Sequence, residues 1–249
     1  EGQEEAMTVL TATMNAARLR EVDGVPQLVF DTGVDVPVPA PGEVLLSVRA
    51  CGVNQVDLLT VAGETPRPVQ YPHISGTEVA GVIEALGEGV TDWAVGERVV
   101  VDPVLTCGEC EYCITGRNNL CIRGRIYGVL TQGGYAQYAT APAKQLLRIP
   151  DALTFAQAAA MAVTAPTAWH MLHRRAGLRA GETVLVIAAG SGIGVIATQI
   201  AKLSGARVIA TAGSAEKLQK ARDLGADEVI DHSRAGWSQQ VRELTDLGH

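Results

Sequence analysis

From residue 14 to about residue 150 the apolar positions come in short runs rich in Val, Ile and Tyr, broken by Gly and Pro. GEVLLSVRACGV (42–53), EVAGVIEALGE (78–88), ERVVVD (97–102) and GGYAQYATAP (133–142) carry that pattern, which predicts strands. VPVPAPGE (36–43) is a proline-rich connection. From about Leu153 the texture changes. The alanine-rich stretch 154–178 reads as helical, interrupted at Pro166. Beyond it the chain alternates, with strands predicted at 183–189, 207–212 and 227–231, a helix from about 192 to 204, and a further helix over 236–247. Residues 183–189 form an apolar run suited to a parallel strand buried on both faces. That alternation predicts a doubly wound parallel sheet, α/β, behind a β-rich first domain. The expected domains are 14–155 and 156–249, and no internal repeat is present.

Composition narrows the function classes. The chain has 249 residues, of which 47% are hydrophobic and 19% charged, enough to bury a core in one large or two small domains. Its net charge of −7 comes with no basic cluster, which argues against nucleic acid as a partner. No run approaches the ~20 apolar residues of a membrane span. The opening EGQEEAMTVLTAT lacks the basic and apolar regions of a secretory signal, so residues 1–13 read as a disordered extension ahead of Met14. Four of the five cysteines fall within fifteen residues. Thiols bunched at metal-like spacing point to the reducing cytoplasm.

Those four are Cys107, Cys110, Cys113 and Cys121, in a lobe spanning 102–125. Thiolates at two-residue intervals on a turn can converge, and a fourth from beyond a short loop completes a tetrahedron. Zinc favours such a set. An iron–sulfur cluster is the other metal that four thiolates suit, and four free thiols the bland reading. Arg117, Arg123 and Arg125 lie nearby to offset the negative charge. Four protein ligands leave no open position, so one structural zinc is expected here and the chemistry elsewhere.

AAGSGIG (188–194) joins a predicted strand to a predicted helix, with a second strand following. This is the context a dinucleotide-binding turn requires. Gly190, Gly192 and Gly194, with Ser191 and Ile193 between them, allow a tight turn and a close approach of backbone to pyrophosphate. A turn that only packs is the structural alternative. NAD-binding folds usually place an acid where the second strand ends. Here Thr211, Ala212, Gly213 and Ser214 occupy that place. No carboxylate repels a 2′-phosphate, and Ser214 and Lys217 can bind one. NADP(H) is therefore favoured, with NAD(H) the alternative.

A β-rich first domain, a cysteine lobe and this turn, with ACGVNQVD, SGTEVAGVIEALGEGV, GGYAQYA and TAPTAWHML, together resemble the medium-chain dehydrogenase/reductase superfamily. The resemblance covers residues 14 to 249. It implies a GroES-like catalytic domain with a structural-zinc lobe, then a Rossmann domain, and an active site in the cleft between them. By family position Thr167 lies near the nicotinamide. Alcohol dehydrogenases of this family hold a catalytic zinc with a Cys, a His and a further Cys or acid. Cys51 matches the first ligand, but Thr77 stands in the histidine's place and Val163 in the last. An altered shell of Cys51, His73 and Glu78 is the alternative. Quinone-reductase-like members work without catalytic zinc, and Asn54 and Asp57 stand as they do there.

The reading is therefore an NADPH-dependent oxidoreductase that reduces quinones or activated double bonds. Asn54 is the first candidate to orient substrate or nicotinamide and Thr77 the second, with Asp57 orienting its neighbours. Loop capping alone is the plain reading of all three. Trp169 and His170 read as helix packing. A zinc alcohol dehydrogenase and a non-catalytic NADPH-binding protein are the rivals. The chain stops after three predicted strands, where a doubly wound domain usually has six. That marks it as C-terminally truncated against the family pattern and leaves the family's homodimer open.

Overall fold

The computed structural model describes residues 13–65 and 67–245. Apart from Thr13, the expected N-terminal extension lies outside the described residues. The chain divides into two compact units, one through Ala162 and one from Val163.

The first unit runs β1 (Thr13–Val22), β2 (Val25–Asp35), β3 (Glu43–Gly52), α1 (Gln55–Val61), β4 (His73–Ile74), β5 (Glu78–Leu86), β6 (Arg98–Val101), β7 (Val104–Leu105), α2 (Glu111–Ile114), β8 (Arg125–Ile126), β9 (Tyr138–Pro142), β10 (Leu146–Arg148) and α3 (Phe155–Met161). β1 and β2 form an antiparallel hairpin whose two turn residues, Asp23 and Gly24, both have positive φ. Such Asp-Gly turns match the right-handed twist of paired strands. β4 adds to β1 in a three-stranded sheet, and β10-β6-β5-β3-β9 form a second, antiparallel one. Val44 and Leu46 on β3, Val79 and Ile83 on β5, and Val99 and Val101 on β6 point into one core. Their even spacing is the two-residue period of a strand with one face inward.

Two expectations need correction here. The run 133–142 becomes strand only from Tyr138. Gly134 and Tyr135 instead donate their N–H groups to Gly76 and Ser75, so this stretch is spent tying loops together. The first unit also reaches beyond residue 155. α3, capped by reciprocal bonds between Thr154 and Gln157, lays Ala158 and Ala159 against Ala80 and Ile149.

The second unit holds α4 (Thr164–Trp169), a π-helical stretch His170–Arg175, β11 (Thr183–Val186), α5 (Gly192–Leu203), β12 (Arg207–Ala212), α6 (Ala215–Asp223), β13 (Glu228–Asp231) and α7 (Trp237–Leu244). The three strands are parallel, in the order β11-β12-β13. Ala197 and Ala201, one turn apart on α5, join Val186, Val208 and Ala210 in its core. Small residues there let the helix lie close to the sheet. β11 stops at Val186, three residues earlier than expected, and Ala188 takes a left-handed φ of 57° that turns the chain out of the sheet. The helical break falls at Ala162 and Val163 and not at Pro166, which sits in the first turn of α4 where no intrahelical N–H is needed. The last two residues of the expected helix 236–247 lie outside the described residues. Among the described residues no helix is long and apolar enough to cross a membrane.

Candidate functional site

The cysteine lobe is assembled locally. Cys110 caps α2 and places Cys113 one turn on, and the short helical turn 118–120 returns the chain to Cys121. The Sγ–Sγ distances are 3.5 Å for Cys107–Cys121 and Cys110–Cys113, 3.8 Å for Cys107–Cys113 and 3.9 Å for Cys110–Cys121. All four sulfurs lie within 4.8 Å of one another. A zinc tetrahedron with bonds of about 2.3 Å has edges of about 3.8 Å, so the thiols fit one tetrahedral ion. Backbone N–H groups of Cys110 and Cys107 point at the sulfurs of Cys107 and Cys121, each at 3.4 Å. Donors of this kind, from Glu109 and Cys110, bring the Cys107 thiol down to about 6. Burial pushes Cys113 the other way, to about 11. Of the three arginines, Arg123 faces Cys107 while pairing with Glu109. Arg117 is spent on Glu111 and on the Tyr112 ring.

The second cluster is assembled from segments far apart in sequence. Asn54 sits at the head of α1, its backbone N–H donated to Asp57 Oδ2 at 2.8 Å. Its side-chain amide reaches Thr77 Oγ1 at 3.5 Å. Thr77 is fully buried, with its hydroxyl oxygen turned to the Asn54 amide. Asp57 is buried as well, and its Oδ1 has no hydrogen-bond partner. Tyr135 donates its hydroxyl to Gly52 O at 3.2 Å. That phenol also faces the Asp57 carboxylate, and burial with this neighbour raises its pKa. Cys51 lies on β3 opposite Val79, its thiol pushed up to about 12 by burial. His73 is buried with Nε2 on Gly128 O at 3.1 Å. Among the described residues the four lobe cysteines are the one group of three or more such donors that converges. Cys51, His73 and Glu78 do not come together as a metal shell.

The third element is the turn from β11 into α5. Ser191 caps α5, its hydroxyl accepting from Gly194 N at 3.1 Å. A Cβ on Gly194 would meet Ala188 O and Ala189, so only glycine allows this approach of helix to strand. The first amides of α5, around Gly192 and Ile193, open outward as an anion-binding end. Gly190 is covered by Lys217, whose Cγ stands 3.0 Å from where a Cβ would be. Ser214 caps α6 by accepting from Lys217 N at 3.4 Å. These groups have the chemistry to hold a dinucleotide pyrophosphate. Thr211 is fully buried, its hydroxyl accepting from Ala188 N and facing His232 Nδ1, so it ties down the turn after β11. Thr167 donates to Val163 O at 2.6 Å. Trp169 is 55% exposed and lies against the tilted ring of His173, so it packs along its own helical segment and not into a core.

Comparison with known proteins matches residues 40–151 to the alcohol dehydrogenase GroES-like domain and residues 192–249 to the zinc-binding dehydrogenase domain. A crystal structure of an NAD-dependent alcohol dehydrogenase superposes with a TM-score of 0.89 at 42% identity, covering 94% of this chain and 68% of that one. The chain belongs to the medium-chain dehydrogenase/reductase superfamily. An alcohol dehydrogenase of Geobacillus stearothermophilus is 38% identical over 84% of this chain and 62% of its own length. The quinone oxidoreductase of Mus musculus is 34% identical over 92% of this chain and 61% of its own. The chain thus spans about three-fifths of these two curated relatives.

The family pattern recovers the GroES-like and Rossmann layout expected from the motifs. Two residues with no assigned role emerge only from the structure. Tyr135 lay inside the motif GGYAQYA, but nothing in its spacing shows which carbonyl its hydroxyl reaches. His232 follows β13, and its Nε2 stands 3.2 Å from where a Cβ on Gly213 would be. No motif marks it, because its hydrogen-bond partner Thr211 is 21 residues away in sequence.

Proposed function

We propose that this protein is a nicotinamide-dependent reductase of quinones or activated double bonds that prefers NADPH, with a structural zinc in the cysteine lobe. The observation that carries the reading is Asn54 at the head of α1, its backbone N–H fixed by Asp57 and its side-chain amide turned to Thr77. An amide nitrogen has two hydrogens. One is directed to Thr77, which leaves the other for an oxygen that gains negative charge. When bound, the reduced nicotinamide supplies a hydride. A quinone or enone is already electrophilic, so a fixed donor for its developing oxyanion suffices to speed the addition. Asp57 fixes the Asn54 backbone and hence the direction of that donor. The oxyanion then takes its proton from solvent.

The cofactor preference rests on chemistry at the end of β12. Ala212, Gly213 and Ser214 present no carboxylate, while Lys217 and the Ser214 hydroxyl lie beside Gly190 and the α6 N-terminus. His232 adds a ring nitrogen at Gly213. An alcohol dehydrogenase with an altered zinc shell is less supported, since Cys51, His73 and Glu78 do not converge. The test is oxidation of NADPH and of NADH with 1,4-benzoquinone. Turnover with NADPH at least about tenfold above NADH is expected. Turnover only with an added alcohol and NAD⁺, abolished by a chelator, overturns the reading. No turnover with any acceptor favours a non-catalytic nicotinamide-binding protein.

A further inference from the structure

We propose that Tyr135 is a positioning residue that sets the Asn54 amide against Thr77, an inference that rests on the role just given to Asn54. Asn54 and Thr77 lie 23 residues apart in sequence, just past the end of the β3–β5 ladder, whose last pair is Gly52 opposite Glu78. Tyr135 touches both stretches. Its hydroxyl donates to the carbonyl of Gly52, two residues before Asn54. Its backbone N–H donates to Ser75 O at 2.9 Å, two residues before Thr77. Between these ties lies Gly76, with φ of 105°, where a Cβ would fall 2.9 Å from the Tyr135 ring and 2.8 Å from Cys51 Sγ. The ring is therefore wedged against the chain that delivers Thr77.

The side chain has a second consequence. A phenol has one proton, and here two acceptors face it: Gly52 O and the Asp57 carboxylate. The hydroxyl is donated to Gly52 O at 3.2 Å, and on Asp57 it is Oδ2 that holds the Asn54 N–H. Tyr135 thus holds the peptide before Asn54 directly and faces the group that holds Asn54 itself.

The test is Tyr135→Phe, which keeps the ring and removes the hydroxyl, with Tyr138→Phe as the control for losing a phenol nearby. The backbone and side-chain amide resonances of Asn54 are followed by ¹⁵N NMR, and kcat, KM for 1,4-benzoquinone and the NADPH dissociation constant are measured. The expected result is a shift of both Asn54 amides, about a tenfold fall in kcat, and NADPH affinity within about twofold, as misplacing one donor requires. Tyr138→Phe leaves all of these unchanged. Unmoved Asn54 resonances in Tyr135→Phe overturn the proposal, whatever happens to kcat. So does the same shift in Tyr138→Phe. Absence of quinone turnover in the unmodified protein sinks the function proposed above but not this inference, which the resonances then decide alone.

Discussion

The cysteine lobe and the Asn54 cluster are both constellations of polar side chains, yet they are built in opposite ways. The lobe draws its four sulfurs from fifteen residues, leaves three of them only half-buried, and is bounded by a two-stranded ladder of β7 and β8. Its apolar side chains Ile114, Leu120 and Ile122 are exposed, so on the function proposed above an ion supplies the cohesion. The Asn54 cluster draws on residues from Cys51 to Tyr135 and sits on the edge of the large core, with Asp57 and Thr77 buried. Sheet pairing holds it, and it needs no ion to keep its shape. A site held by a metal should fail through stability when its ligand is lost. A site held by the fold should fail through chemistry.

The sharpest way to break that contrast is at the metal. Cys113→Ser removes one of four ligands, and structural zinc in small domains is worth on the order of 10 kcal/mol of folding free energy locally. Zinc content is expected to fall from about one per chain to none, and the melting temperature by about 10 °C or more. Elemental analysis with calorimetry checks both. Retention of one zinc with an unchanged melting temperature would show that the lobe stands on its own packing. At the other site, Asn54→Ala should leave zinc content and melting temperature nearly unaltered and lower kcat by roughly 100-fold, the usual cost of one oxyanion donor. Steady-state kinetics beside a melting curve checks this. A large stability loss with normal kcat would mean that Asn54 is only a helix cap.

The same contrast explains what could be read from sequence. The lobe was legible because its ligands are neighbours, and spacing alone says how far apart thiols on a turn can be. The glycine turn was legible for the same reason, as was the parallel sheet, though β11 is an edge strand with Leu185 exposed and not the doubly buried strand expected. Pairings across the fold were not. Nothing in the sequence places Tyr135 on Gly52, or Thr211 on His232, because sheet register and loop paths decide those contacts. The β1–β2 hairpin also left a weak signal. β2 is an edge strand with Leu28 and Phe30 exposed at 53% and 70%, so its alternation is blurred. Ala188 was read as strand by its apolar character, but its left-handed backbone ends β11 before it.

The smallest expected effect tests whether a fold-held residue betrays itself by pH. His73 lies at β4, buried, with Nε2 on Gly128 O. Burial lowers its pKa, while the Gly128 carbonyl pulls weakly the other way. The unfolded chain therefore takes up a proton at a higher pH, near 6.5, than the folded one. The stability contributed by the neutral ring is full above about pH 6.5 and declines as the pH falls from there toward the lowered folded value. His73→Gln, which can still donate to Gly128 O, should flatten the fall in melting temperature between about pH 6.5 and pH 5. Zinc loss runs in the same direction, because acid protonates the thiolates. The comparison is therefore made on zinc-free Cys113→Ser with and without the His73 change. If the slope is the same in both, the acid sensitivity belongs to some other group, and His73 is packing whose charge the fold does not feel.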